Sequence, residues 1–102
     1  MISVREVWQL KAEFAGSARE IMQEMDDLVG PGAHDDPGWV GHAVFLQNTG
    51  RPTEIVVQYP WANLESHRSL TDREHDILAA FNKKYCSENR RIEYFETLDV
   101  DV

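Results

Sequence analysis

A single cysteine, Cys86, stands in the 102-residue chain, so no intrachain disulfide can close and no second thiol exists for a cysteine-built metal site. No activating motif lies beside it, and Cys86 reads as a structural thiol. Long apolar runs are missing too: no segment approaches the ~18 apolar residues that a membrane span needs. Met1-Ile2-Ser3-Val4-Arg5-Glu6 carries charges where a signal peptide would have its apolar stretch, and the expectation is a cytoplasmic protein. Basic charge is scarce. Ten Lys and Arg face eighteen Asp and Glu, a formal charge of -8 that repels phosphate backbones and anionic lipid heads, so neither nucleic acid nor a membrane is expected as partner. The chain has no phosphate-cradling glycine motif, no Gly-x-Ser-x-Gly elbow and no Cys-His nucleophile pattern, and nucleotide chemistry and triad hydrolysis drop out. Repeats and low-complexity tracts are absent. The one Pro/Gly-dense stretch, Gly30-Pro31-Gly32 through Pro37-Gly38, reads as a loop between elements.

What remains is a chain 42% hydrophobic, enough for one core and one domain over 1–102. From Ile2 to about Lys11 the residues alternate, with Ile2, Val4, Glu6, Trp8 and Leu10 on one face of a strand that is apolar except for Glu6. Ser17-Ala18-Arg19-Glu20 spells a capping box, and Ile21, Met22, Met25, Leu28 and Val29 follow at helical spacing toward an end at Gly30-Pro31. Trp39 to Gln47 is apolar at both parities, as in a strand covered on two faces by something other than water. Asn48-Thr49-Gly50-Arg51-Pro52 turns the chain into a third strand, Thr53 to Tyr59, which pairs with the second as a hairpin and which Pro60-Trp61 ends. Asn63 caps a short helix with Leu64, His67 and Leu70. A further box, Thr71-Asp72-Arg73-Glu74, restarts it after a bend, with Ile77, Leu78, Phe81 and Tyr85 on one side. Ile92, Tyr94, Glu96 and Leu98 then alternate in a last strand before the acidic tail Asp99-Val100-Asp101-Val102.

Strand, helix, two strands, helical region, strand is a split β-α-β unit repeated once, an α+β, ferredoxin-like β-α-β-β-α-β protomer. Pro37-Gly38-Trp39-Val40-Gly41 opens the second strand, and Tyr59-Pro60-Trp61 leads into a helix with serine, histidine and leucine. On that layout and those two aromatic signatures, nearly the whole chain resembles the dimeric α+β barrel superfamily, and within it the antibiotic-biosynthesis-monooxygenase-like group. The resemblance implies an antiparallel sheet with helices on one face, a homodimer joined sheet to sheet, and a ligand pocket between sheet and helices in each subunit. Members include cofactor-free oxygenases of polyketide-like aromatics, haem-degrading enzymes, cyclases, isomerases and proteins without a known reaction.

The candidate catalytic residues are Glu6 and His67. Glu6 interrupts an apolar face next to Trp8, where burial suits a carboxylate to general-base work; the alternative is a strand-edge position or an arginine partner. His67 lies on the helix that lines the pocket in similar proteins, where it would move a proton or hold a substrate oxygen; the alternative is an exposed helical histidine. Trp8, His42, Tyr59, Trp61 and Asn63 form the candidate substrate-binding set, with the aromatics as walls for a flat ligand. Trp8 reads equally as core filler, and His42 as a neutral histidine in the core or an interface. His75, between Glu74 and Asp76, reads as a solvated face. His34-Asp35-Asp36, with His42, has metal-ligand residue types but nothing to fix a geometry, and no metal is expected. The haem-degrading branch uses an Asn on the first strand and a Trp and a His in the second helical region. This first strand has no asparagine, and Leu70 and Leu78-Ala79-Ala80 stand where the others would fall, so no cofactor is expected. The resemblance thus implies a cofactor-independent monooxygenase that deprotonates an aromatic or polyketide-like substrate for direct reaction with dioxygen. A polyketide cyclase or isomerase using the same pocket, and a non-catalytic small-molecule-binding dimer, stay open beside it.

Overall fold

Period-two alternation in Ile2–Gln9 becomes β1, the strand around which the sheet is assembled. In the computed structural model, which describes residues 1–102, β1 pairs antiparallel with β3 (Glu54–Trp61) and with β4 (Arg91–Phe95). β3 pairs in turn with β2 (Val44–Gln47), giving the order β2-β3-β1-β4. Two helices, α1 (Ala18–His34) and α2 (Leu64–Tyr85), make the connections and cover one face. Trp8, Leu10, Ile55 and Val57 of that face join Ile21, Met22, Met25 and Val29 of α1 and Leu78, Phe81 and Tyr85 of α2 in one buried cluster. Burying each large apolar side chain there stabilises the fold by about 1.5–3 kcal/mol. The opposite face, with Arg5 opposite Gln58 and Val7 opposite Val56, has no helix over it. The fold is the α+β ferredoxin-like arrangement that the order of segments predicts, and no helix is long and apolar enough to cross a membrane.

Local signals were overruled at four places. Ser17 makes no side-chain cap, because a 3-10 segment, Ala12–Ser17, feeds directly into α1 and the chain enters the helix already coiled. α1 also runs past Gly30-Pro31 to His34: proline removes one helical N–H, while Ala33 packs on the Val4, Trp61 and Leu70 cluster and His34 lies 4.4 Å from the Trp39 ring, holding the last turn. α2 is one helix of 22 residues with no restart at Thr71, whose hydroxyl donates back to the His67 carbonyl at 3.0 Å instead of capping. Its buried stripe is His67, Leu70, Glu74, Leu78, Phe81 and Tyr85, which turns Ile77 outward to 50% exposure.

The fourth place is the stretch Trp39 to Gln47, of which only Val44–Gln47 is strand. Trp39 bridges to Trp61, Gly41, His42 and Ala43 line a cavity, and β2 lies at the sheet edge with Val44 57% and Leu46 50% exposed. Within this chain nothing covers it on two faces. β3, by contrast, continues through Pro60. The Thr53 carbonyl accepts from Leu10 on the β1 side and the Glu54 carbonyl from Asn48 on the β2 side, so even positions of β3 point toward β2. β2 starts opposite Gln58, and the missing N–H of Pro60 therefore faces a place without a partner strand. β4 ends at Phe95, and the tail beyond it is exposed.

Candidate active site

The only charged side chain on the covered face of β1 is Glu6, opposite Val57 and Ile92 in register and 4% exposed. Burying a carboxylate among apolar strands is unfavourable unless donors meet it. Three do so. Trp8 Nε1–H and Arg90 Nη1 donate to Oε1 at 3.1 and 3.0 Å, and the Tyr59 hydroxyl donates to Oε2 at 2.5 Å. Arg90, from the loop before β4, also donates to Glu74 Oε1 at 2.9 Å and stacks over Trp8, 5.4 Å from the ring centroid. One guanidinium thus joins two buried carboxylates from β1 and α2. Burial pushes the Glu74 carboxyl up while Arg90 holds it down, and Arg90, despite burial, is kept charged by Glu6 and Glu74.

One row further along the sheet, Tyr59, Val4 and Tyr94 lie side by side across β3, β1 and β4. His67 descends from α2 onto this row at 1% exposure, with Nε2 2.6 Å from the Tyr59 hydroxyl and Nδ1 2.9 Å from the Tyr94 hydroxyl. Burial lowers the His67 ring to about 4, more than the nearby Glu6 charge can restore. The Tyr59 phenol is raised, first by burial and then by the negative charge of Glu6.

These groups border a cavity of about 480 Å³ between β2, β3 and the C-terminal half of α1. Glu6, Tyr59, Trp61 and His42 line it, together with Trp39, His34, Phe45 and Glu74. Trp39, His34 and His42 stack at one end, with centroids 4.4 to 5.4 Å apart. Gly38 lets this end close, since a Cβ there would lie 2.4 Å from Trp61 Nε1. The walls are therefore largely aromatic, with the hydrogen-bonded carboxylates of Glu6 and Glu74 among them. Such a space suits a flat ligand that gives up or shares a proton.

The predicted residues fall into two groups. Glu6, Tyr59, Trp61 and His42 come together at the cavity, and His67 stands directly behind Tyr59. Trp8 is sealed in the core, its indole on Glu6 and its ring edge-on to Phe81 at 5.7 Å, away from the wall. Asn63 caps α2, accepting from the Ser66 N–H at 2.8 Å, and is not among the lining residues. The run His34-Asp35-Asp36 is parted: His34 stacks on Trp39, whereas Asp36 accepts from the Gly38 N–H and pairs with Arg73. Burial pushes the Cys86 thiol up to about 11, which leaves it protonated. Sequence reasoning missed Arg90, Glu74 and Tyr94. Glu74 was legible as a carboxylate midway between Leu70 and Leu78 on the apolar stripe; nothing local separates Arg90 from Arg91.

No protein-family model matches the sequence, and no curated protein does. Solved structures do. A monooxygenase from the gene ActVA-Orf6 of Streptomyces coelicolor, in complex with the ligand nanaomycin D, superposes with a TM-score of 0.76 at 10% identity over 99% of this chain and 90% of that one. Proteins described as antibiotic biosynthesis monooxygenases from Bordetella bronchiseptica and Nitrosomonas europaea give TM-scores of 0.71 and 0.68 at 10% and 13% identity. The first likeness covers 95% of this chain and 96% of that one, the second 96% and 99%. At such identities the likeness shows the fold, which is the antibiotic-biosynthesis-monooxygenase-like fold that the sequence resembles.

Proposed function

We propose that this chain is a cofactor-independent monooxygenase of secondary metabolism, which deprotonates an electron-rich aromatic or polyketide-like substrate and lets the resulting carbanion react with dioxygen. The observation that carries the reading is the Glu6 carboxylate, buried in the wall of an aromatic-lined cavity and hydrogen-bonded to Tyr59, which lines it too. Proton abstraction next to a carbonyl or phenol asks for a positioned base in a dry site, and aromatic walls orient a planar ring. The similar Streptomyces protein, a monooxygenase, is in complex with a small-molecule ligand, nanaomycin D, which supports a small-molecule substrate here. Glu6 and His67 belong to the proton-handling side; Tyr59, Trp61 and His42 border the ligand space, and no metal or organic cofactor takes part in the proposed step.

Assembly as a homodimer belongs to the same proposal, because the uncovered sheet face and β2 expose Val44, Leu46 and Phe95. A cytoplasmic setting accords with a lone, unpaired thiol. Oxygen uptake with a tricyclic phenol or anthrone tests the reaction. Uptake that vanishes in folded Glu6→Gln supports it, and substrate turnover without dioxygen shifts the assignment to a cyclase or isomerase. One observation favours a non-catalytic binding dimer: Glu6 already accepts three hydrogen bonds, from Trp8, Tyr59 and Arg90, which are enough to hold a packing carboxylate in place. Unchanged ligand binding in Glu6→Gln, with no turnover by any form, selects that reading.

A further inference from the structure

The hydrogen bonds around Tyr59 have a direction that can be worked out. Trp8 Nε1–H and Arg90 Nη1 both reach Glu6 Oε1, and neither group can accept. Glu6 is paired with the Arg90 guanidinium as a carboxylate, the acceptor end of a chain, and the single Tyr59 hydroxyl hydrogen lies on its 2.5 Å contact to Oε2. The 2.6 Å contact between the Tyr59 oxygen and His67 Nε2 then requires the hydrogen on Nε2. A neutral imidazole carries one ring hydrogen, so Nδ1 accepts from Tyr94 at 2.9 Å. Burial lowers the ring to about 4, which keeps it neutral near pH 7. Tyr94 to His67 to Tyr59 to Glu6 is a hydrogen-bonded line drawn from four elements, and it all runs one way.

We propose that Tyr59 is the catalytic residue that meets the substrate's acidic hydrogen, that Glu6 is the proton sink behind it, and that His67 and Tyr94 are positioning residues that set the direction of transfer. This rests on the proton-abstraction reading of the cavity. With its hydrogen on Glu6 and one lone pair on His67, the Tyr59 oxygen has one acceptor position left; Tyr59 lines the cavity, and His67 does not. As the substrate C–H or O–H bond breaks, its electron pair stays on the substrate and the proton adds to the Tyr59 oxygen. The original Tyr59 hydrogen moves to Glu6 Oε2. Tyrosine ends with one hydrogen, Glu6 as a carboxylic acid and the substrate as an anion, with no electrons exchanged with the protein. Transfer in this paired form suits a phenol that burial and the Glu6 charge keep from ionising. Arg90, on the far carboxylate oxygen, stays in place throughout.

Two measurements test the assignment. The first follows exchange of the C10 hydrogens of anthrone in deuterated buffer without dioxygen, by proton NMR, so that proton transfer is read apart from oxygen chemistry. Wild type is expected to accelerate exchange, and Tyr59→Phe and Glu6→Gln each to slow it about 100-fold or more, at an unchanged anthrone KM. The second is the nitrogen-15 spectrum of the histidine-labelled free protein, in which His67 is expected as the Nε2–H tautomer. Tyr94→Phe should admit the Nδ1–H form and slow exchange less than Tyr59→Phe does. Wild-type exchange by folded Tyr59→Phe, no acceleration by wild type, or an Nδ1–H tautomer in wild type overturns the proposal. Exchange that depends on Tyr59 with no oxygen uptake in air upholds it and removes the monooxygenase reading instead.

Discussion

Replacing Arg90 by methionine keeps the length of the stem over Trp8 and removes the guanidinium from between two carboxylates. Glu6 and Glu74, whose side chains are 5% and 6% exposed in the wild type, would then have no guanidinium between them. Removing one partner of a buried ion pair costs about 3–5 kcal/mol. A domain of this size has about 5–15 kcal/mol in total, so the variant should lose a large share of its stability. The loss must also depend on pH. Glu74 already has a raised carboxyl, burial being the cause, and without Arg90 it rises further. A raised native value means that the folded state holds the proton more tightly than the unfolded chain, so folding gains as pH falls through that value toward the ordinary 4.5. The deficit relative to wild type is therefore full at pH 8 and shrinks toward pH 5. Urea melts followed by tryptophan fluorescence at the two pH values measure it. With a slope of about 1–1.5 kcal/mol per molar urea, the midpoint should drop by roughly 2–5 M at pH 8. A drop below about 0.5 M, or an equal deficit at both pH values, would refute the account of Arg90 as the neutralising group.

His67 gives the opposite pH dependence. Its ring falls from 6.5 to about 4 on folding, so the unfolded chain binds the proton more tightly and stability is lost as pH drops between those values, by up to about 1.4 kcal/mol per pH unit; in folded His67→Gln that part of the slope should disappear from the melts. Gly38→Ala drives a methyl to 2.4 Å from Trp61 Nε1 and 2.9 Å from Ser66 Oγ, and should destabilise by about 1–3 kcal/mol, visible as a lower Tm in circular dichroism. Asn63→Ala removes the cap on the Ser66 N–H and should lower the urea-derived stability by about 1 kcal/mol. Because Asn63 is not among the lining residues, ligand affinity should stay unchanged.

The legible parts of this protein are those written in short-range periodicity. Alternation around Val4, Glu6 and Trp8 marked the first strand, and a lone carboxylate on its apolar face marked a candidate site. Leu78, Phe81 and Tyr85 marked the buried side of the second half of α2, whereas Ile77, read with them, turned outward. Local breakers and caps misled where tertiary contacts outweighed them: Ala33 and His34 packing carried α1 through Pro31, and the 3-10 segment made the Ser17 cap redundant. Trp39 to Gln47 misled for another reason, since apolar residues at both parities came from a cavity lip joined to an exposed edge strand.

By itself the sequence determined the order of elements, the single sheet and the presence of a charged residue among apolar ones, because backbone periodicity repeats over a few residues. Only the tertiary structure decided what that residue touches. Arg90 meets Glu6 from 84 positions away, Tyr59 from 53, and His67 reaches Tyr94 across 27. Contacts at such separations depend on strand register and helix placement, and one residue of slip in β1 would turn Glu6 out of the cavity to the uncovered face.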